Sequence, residues 1–165
     1  MWREIGEPSS WLVKPDTPIT HLARKVHGIT SDTVADAPLF DDIKHAVLDA
    51  LDADGLIAHN AHVDVGVLQR KLGEWEFPEI FDTLKLARRL LPDAGSYKLG
   101  ALVEAFKLAE GLPDGLSPHR ATYDALVTAR LFVRLATLPD TRPLTPEELR
   151  NKPTEGGGDG TPALF

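Results

Sequence analysis

None of the 165 residues is a cysteine, which excludes a disulfide framework and any thiolate metal site. Positive charge is also short: 18 Lys and Arg stand against 25 Asp and Glu, a formal net charge of -7. A generic basic coat for nucleic acid is therefore excluded, because neutralising phosphates needs clustered Lys and Arg. An acidic protein still binds DNA where metal ions supply the positive charge. No apolar run approaches the ~20 residues of a membrane helix, and the opening "MWREIGEPSS" lacks the apolar core of a signal peptide. A cytoplasmic protein with no membrane partner is the expectation. The chain also lacks a lysine-bearing glycine loop for phosphates and a serine elbow for acyl transfer.

What is present fits one domain with its own core, hydrophobic residues making up 42% of the chain. "SSWLVKP" reads as a strand ended by Lys14-Pro15, since proline cannot donate to a ladder, with a loop after it. From Asp36 onward Leu39, Phe40, Ile43, Val47, Leu48 and Leu51 recur at helical spacing. "LIAH" is a short buried strand. "NAHVDVGVLQRKL" then turns sharply into a helix capped by Asn60. Thr83 to Leu91 reads as a helix, with Asp82 as its cap rather than a ligand. Ser96 caps the next, which buries Leu99, Leu102, Val103 and Phe106. A helix from about Ala121 to Leu138 buries Leu126, Val127, Leu131 and Leu135 and leaves Arg130 and Arg134 on a wetter side. "TPEELR" carries a capping box, Thr145 with Glu148, and Pro146 at the first helical position. Strands alternating with helices give an α/β class. About three strands face four or five helices, and the shortage lies at the N-terminus.

Asp124 is the acid that packing does not explain. It sits in an apolar turn where a lone carboxylate is costly unless paired or metal-bound. His119 lies five positions earlier, and on one helix the two side chains would point about 140° apart. They converge only if His119 is on the preceding loop, which Pro118 favours; there it would serve as a general base. Equally, His119 reads as a surface loop residue and Asp124 as an exposed or capping acid. "HNAHVD", where a strand gives way to a helix, offers the same choice. His59, His62 and Asp64 could be zinc ligands without a completing residue. Alternatively Asn60 is a cap, His62 is exposed, and Asp64 favours the positive helix start.

Taken in order, "VHGIT", "AHNAHVD", "FDTLKLARRL" and "HRATYDA" resemble the DEDDh 3′-5′ exonucleases, the family of the proofreading epsilon subunit of bacterial DNA polymerase III. The similarity runs from about Trp11 to Leu138. It implies an RNase H-like mixed sheet flanked by helices, with two divalent metals, Mg²⁺ or Mn²⁺, held on four acids. It also implies that Asp64 and Asp124 are metal ligands, and that His119 is the base activating the water that cuts a terminal phosphodiester. By the same resemblance Val26 and His27 line the terminal-nucleotide pocket, with His59 and Asn60 alongside, and the partner is a single-stranded nucleic-acid 3′ end.

The family's first motif, an Asp-x-Glu on the first strand, does not precede "SSWLVKP"; Glu4 and Glu7 do not stand in that pattern. Its loss removes two of the four acids and a middle strand of the sheet. Three accounts follow: an exonuclease truncated at its N-terminus, a noncatalytic module binding nucleic-acid ends or a polymerase, or a chain completed by a strand-donating partner. For the chain as written, little or no hydrolysis is expected. The expected organisation is an exonuclease-like domain over 1–138, a short terminal helix over 139–151, and a disordered tail over 152–165. "PALF" at the end of the tail is a candidate docking peptide, and an unpaired sheet edge favours self-association.

Overall fold

Thr20 and Gly28 bracket a helix that hydrophobic spacing does not announce. In the computed structural model, which describes residues 8–139 and 141–150, α1 spans His21–His27. Thr20 Oγ1 accepts the Ala23 N–H at 3.2 Å, and Gly28, at a φ of 72°, returns its own N–H to the Arg24 carbonyl. The helix buries no residue, so caps rather than packing define it. The loop expected after Pro15 is thus corrected.

The remaining elements are a short 3₁₀ turn at Asp32–Val34, α2 at Phe40–Leu51, β1 at Gly55–Ala58, α3 at His62–Leu72, β2 at Glu79–Asp82, α4 at Thr83–Leu90, α5 at Leu99–Phe106, α6 at Ala121–Ala136 and α7 at Pro146–Leu149. Among the described residues the sheet has two parallel strands, β1 beside β2, with Ala58 opposite Asp82. It is the mixed α/β arrangement expected, with a small parallel sheet and helices. At Gly55 a Cβ would stand 3.0 Å from Phe81 Cε2, so a larger residue there would press on that ring. "SSWLVKP" is not a strand. Its backbone tie is the Lys14 N–H to the Pro38 carbonyl, and Trp11 and Leu12 are exposed. A strand needs a neighbour to satisfy its ladder, and none of the described strands adjoins it.

The core gathers where α4, α5 and α6 meet: Leu86, Leu102, Val127, Leu131 and Leu135 are all 2% exposed or less. Phe81 on β2 reaches Phe132 on α6, their ring centroids 5.3 Å apart, and so ties the sheet to this helical cluster. Arg130 departs from the expected wet face. It is buried, and its Nη1 donates to the carbonyls of Leu108 at 3.0 Å and Glu110 at 2.8 Å. Those carbonyls follow the left-handed C-cap Lys107, where the turn after α5 needs a donor. Arg134, one turn on, stays exposed over the Phe106 ring.

The α5 cap is Lys98 rather than Ser96, although Ser96 Oγ accepts the Lys98 N–H. At α7 the Thr145–Glu148 capping box forms as its sequence indicates. Arg142 grips the Glu148 carboxylate with two N–H groups and holds it well down, at about 2, helped by the Thr145 N–H. Arg89 donates to the carbonyls of Glu148 and Arg150, docking α7 on α4, and Leu149 enters the core. The expected tail over 152–165, "PALF" within it, and Glu4 and Glu7 lie outside the described residues.

Candidate active site

The parallel register aligns Ala58 with Asp82, so the next residues, His59 and Thr83, also come together. Thr83 Oγ1 lies 2.9 Å from His59 Nδ1 and 3.3 Å from the Ala58 carbonyl. On its other side His59 Nε2 meets the Tyr97 carbonyl at 3.0 Å. Burial pushes the imidazole below its ordinary value, against the Tyr97 bond and the Asp82 charge, which favour protonation. A neutral ring with Nε2–H donating to Tyr97 leaves Nδ1 to accept the one Thr83 hydroxyl hydrogen, which is then not given to the Ala58 carbonyl. Both nitrogens are therefore engaged by protein, and the ring edge of His59 is spoken for within the fold.

Past His59 the chain turns on Asn60, whose φ is 68°. Asn is among the few residues that tolerate this left-handed conformation. The expected Asn60 cap does not form: Ala61 is the N-cap of α3 and no side chain caps it. Instead the two turn amides point at Asp82. Asn60 N–H donates to Asp82 Oδ1 at 3.1 Å and Ala61 N–H to Oδ2 at 3.2 Å. Asp82 is also the cap of α4, Oδ1 accepting Leu84 N–H at 2.9 Å and Lys85 N–H at 3.4 Å. Its capping role was legible in the sequence, whereas its reach to the β1–α3 turn was not.

Asp64 stands in the first turn of α3 and Asp124 in the first turn of α6. Both line a groove of about 490 Å³ whose other walls include Leu56, His59, Leu68 and Thr128. Asp64 remains open to solvent as a residue, yet partial burial of its carboxyl raises it above the ordinary carboxylate range, and the Asp82 charge adds to this. Its own backbone N–H and His62 work the other way.

His119 occupies the loop just ahead of α6, as its spacing from Asp124 requires, at a φ of 65°. Its backbone N–H donates to Asp124 Oδ1 at 3.3 Å, so the acid also holds the loop. Arg120, which sequence reading passed over, extends Nη1 to the His27 carbonyl at 3.0 Å. That bond ties the loop bearing His119 to the end of α1, where His27 Nδ1 accepts the Ile29 N–H and Val26 is exposed. The structure thus brings Asp64, Asp124 and His59 to one groove and links His27 to the His119 loop. The side chains of Val26, His27 and His119 are not part of the groove wall.

Among the described residues no group of three or more His, Cys, Asp or Glu side chains is placed to hold a metal ion. Two carboxylates in one groove are hard oxygen donors suited to one Mg²⁺ or Mn²⁺ completed by water and phosphate oxygens. Among the described residues they are too few for a two-metal centre. No helix among the described residues is long and apolar enough to cross a membrane.

The exonuclease family model named for RNase T matches residues 1–132. Exodeoxyribonuclease 10 of Escherichia coli K12 is 40% identical over 130 residues, covering 79% of this chain and 55% of that protein. The DNA polymerase III epsilon subunit of Buchnera aphidicola from Schizaphis graminum is 33% identical over 144 residues, covering 82% of this chain and 58% of the subunit. The chain therefore spans little more than half the length of these curated relatives. A solved structure, Exonuclease X in complex with 5′ overhanging duplex DNA, superposes with a TM-score of 0.70 at 37% identity, over 90% of this chain and 82% of that one. The RNase H-like α/β fold, the sequence match along most of the chain and the ordered motifs agree: this chain belongs to the DEDDh 3′-5′ exonuclease family.

Proposed function

We propose that the chain acts on single-stranded nucleic-acid 3′ ends, with Asp64 and Asp124 holding a divalent metal. One observation carries this reading: two acids from different helices line the same groove at the end of β1. Family members generally use divalent metals, and Mg²⁺ or Mn²⁺ suits a pair of carboxylates. When bound, such an ion supplies Lewis-acid stabilisation of phosphoryl oxygen charge. His119, on the loop just ahead of α6, is the base that takes the proton of the attacking water. Val26 and His27 receive the terminal nucleotide, with His59 and Asn60 alongside. His59 contributes through its ring face, because both its nitrogens are engaged.

The 165-residue polypeptide alone hydrolyses weakly or not at all in this reading. Asp64 and Asp124 are half of the family's four acids, and no Asp-x-Glu stands in its first strand position. The small donor set favours a second reading, a noncatalytic module for nucleic-acid ends or for a polymerase. The groove beside the edge of β1 that no other described strand covers supports a strand-donating partner as the means of completing the site. The reading places the exonuclease unit at 1–138, followed by a terminal segment over 139–151 that carries α7 and a tail over 152–165, in a cytoplasmic protein.

Fluorescence-anisotropy titration with a labelled single-stranded DNA tests this. Affinity for an oligonucleotide with a free 3′ hydroxyl is expected to exceed that for the 3′-phosphorylated form about tenfold in Mn²⁺. The preference should vanish in EDTA and in Asp124→Ala. Equal, metal-independent binding of both oligonucleotides would contradict the assignment.

A further inference from the structure

Asp64 rides on a helix that the hydrophobic core does not hold. α3 contributes no residue to the cluster of α4, α5 and α6 or to the apolar residues packed against it. Leu72, at the far end of α3, is its one buried side chain. The end that carries Asp64 therefore depends on how the β1–α3 turn is fixed, and that turn passes through the left-handed Asn60. No side chain caps α3 where this turn enters it.

The support is Asp82. We propose that Asp82 is a positioning residue for the metal half-site, clamping the β1–α3 turn to the start of α4 and so setting where Asp64 stands in the groove. Its carboxylate is 5% exposed and accepts four backbone N–H groups from two segments, Asn60 and Ala61 on one side and Leu84 and Lys85 on the other. Helix capping alone needs only Oδ1, which takes the Leu84 and Lys85 amides. Oδ2 is committed to Ala61, across the sheet from the helix it caps. Two acceptor oxygens are needed for this, and an amide has one. Asparagine with its oxygen in the Oδ1 place would keep the Asn60, Leu84 and Lys85 amides and set its NH₂ group against the Ala61 N–H. The α4–α6 side is fixed independently by its core, so the element released is the turn and, with it, Asp64.

This inference rests on Asp64 and Asp124 binding metal, and its test separates the two. Mn²⁺ is titrated into the full 165-residue chain while paramagnetic broadening of the Asp64 and Asp124 amide resonances is followed. Asp82→Asn is expected to weaken Mn²⁺ at least about tenfold, the usual effect of removing a group that orients a metal ligand. Leu149→Ala, a core truncation remote from the turn, should lower the melting temperature yet shift Mn²⁺ affinity less than about twofold. A purely structural Asp82 would instead make both variants lose stability with unchanged affinity, which overturns the proposal. Hydrogen exchange on the wild-type chain needs no variant. Asn60 and Ala61 amides should exchange as slowly as Leu84 and Lys85, and exchange at open-turn rates would overturn the clamp even if Asp82→Asn failed to fold. Absence of any Mn²⁺ broadening in the wild type would remove the metal reading and this inference together, whereas equal affinities in wild type and Asp82→Asn remove this inference alone.

Discussion

Incubated with single-stranded DNA and Mn²⁺, the purified 165-residue polypeptide is expected to release nucleotides at least about 1,000-fold more slowly than Escherichia coli exodeoxyribonuclease 10 under the same conditions. The magnitude follows from what the transition state needs. In a two-metal displacement the ions clamp both the attacking and the leaving oxygen, and removing even one group that stabilises developing charge costs about 10²- to 10³-fold in rate. Asp64 and Asp124 supply two carboxylates to the groove, and among the described residues no third acid or histidine joins them as a metal cluster. Thin-layer separation of end-labelled products checks the rate. Release within tenfold of the relative, abolished by Asp124→Ala, would show that the two acids suffice and would sink the expectation of weak hydrolysis.

The second large effect is on stability. Leu131→Ala is expected to destabilise the fold by about 3–5 kcal/mol, a large share of the 5–15 kcal/mol typical of a domain. Leu131 is fully buried in the cluster of α4, α5 and α6, where its removal leaves a cavity that three packed helices cannot easily close. Urea denaturation followed by circular dichroism measures it, and a loss under about 1 kcal/mol would mean that the cluster is looser than its burial indicates. The consequence reaches the site, because Leu131 lies two helical turns beyond Asp124 and so on nearly the same face of α6. The stripe that buries Val127 and Leu131 is what presents Asp124 to the groove.

That stripe is why Asp124 was legible in the sequence. An acid in register with buried leucines and valines has few explanations, and the groove supplies one. The loop position of His119 was legible as well, because Pro118 stands just ahead of it and α6 begins only at Ala121. The Thr145–Glu148 box at α7 could be read because every partner lies within one turn. The misreadings have the opposite character. "SSWLVKP" has the composition of a strand, but strand formation depends on a neighbour that composition cannot supply. α1 has caps and no buried face, so a search for apolar spacing passes over it. Arg130 and Arg134 look equivalent at one-turn spacing, and only the position of the Leu108 and Glu110 carbonyls separates the buried one from the exposed one. Asp82 was recognised as a cap from the residues next to it. Its other bonds join amides far away in the chain, and no local pattern encodes them.

The groove also explains why two unremarkable acids carry the functional reading. Asp64 alone is a favourable residue near a helix start, and Asp124 alone holds the His119 loop through one amide. Their presence on one concave surface is the observation on which the proposed cation site rests.

The most direct measurement is therefore whether the two acids act as one site. Mn²⁺ titration of the wild-type chain and of Asp64→Asn and Asp124→Asn, read by paramagnetic broadening, decides it. Saturable broadening around both residues with one affinity, lost at both positions in either variant, is the expected result. Broadening at one acid that survives replacement of the other would contradict a shared metal site and the functional reading built on it.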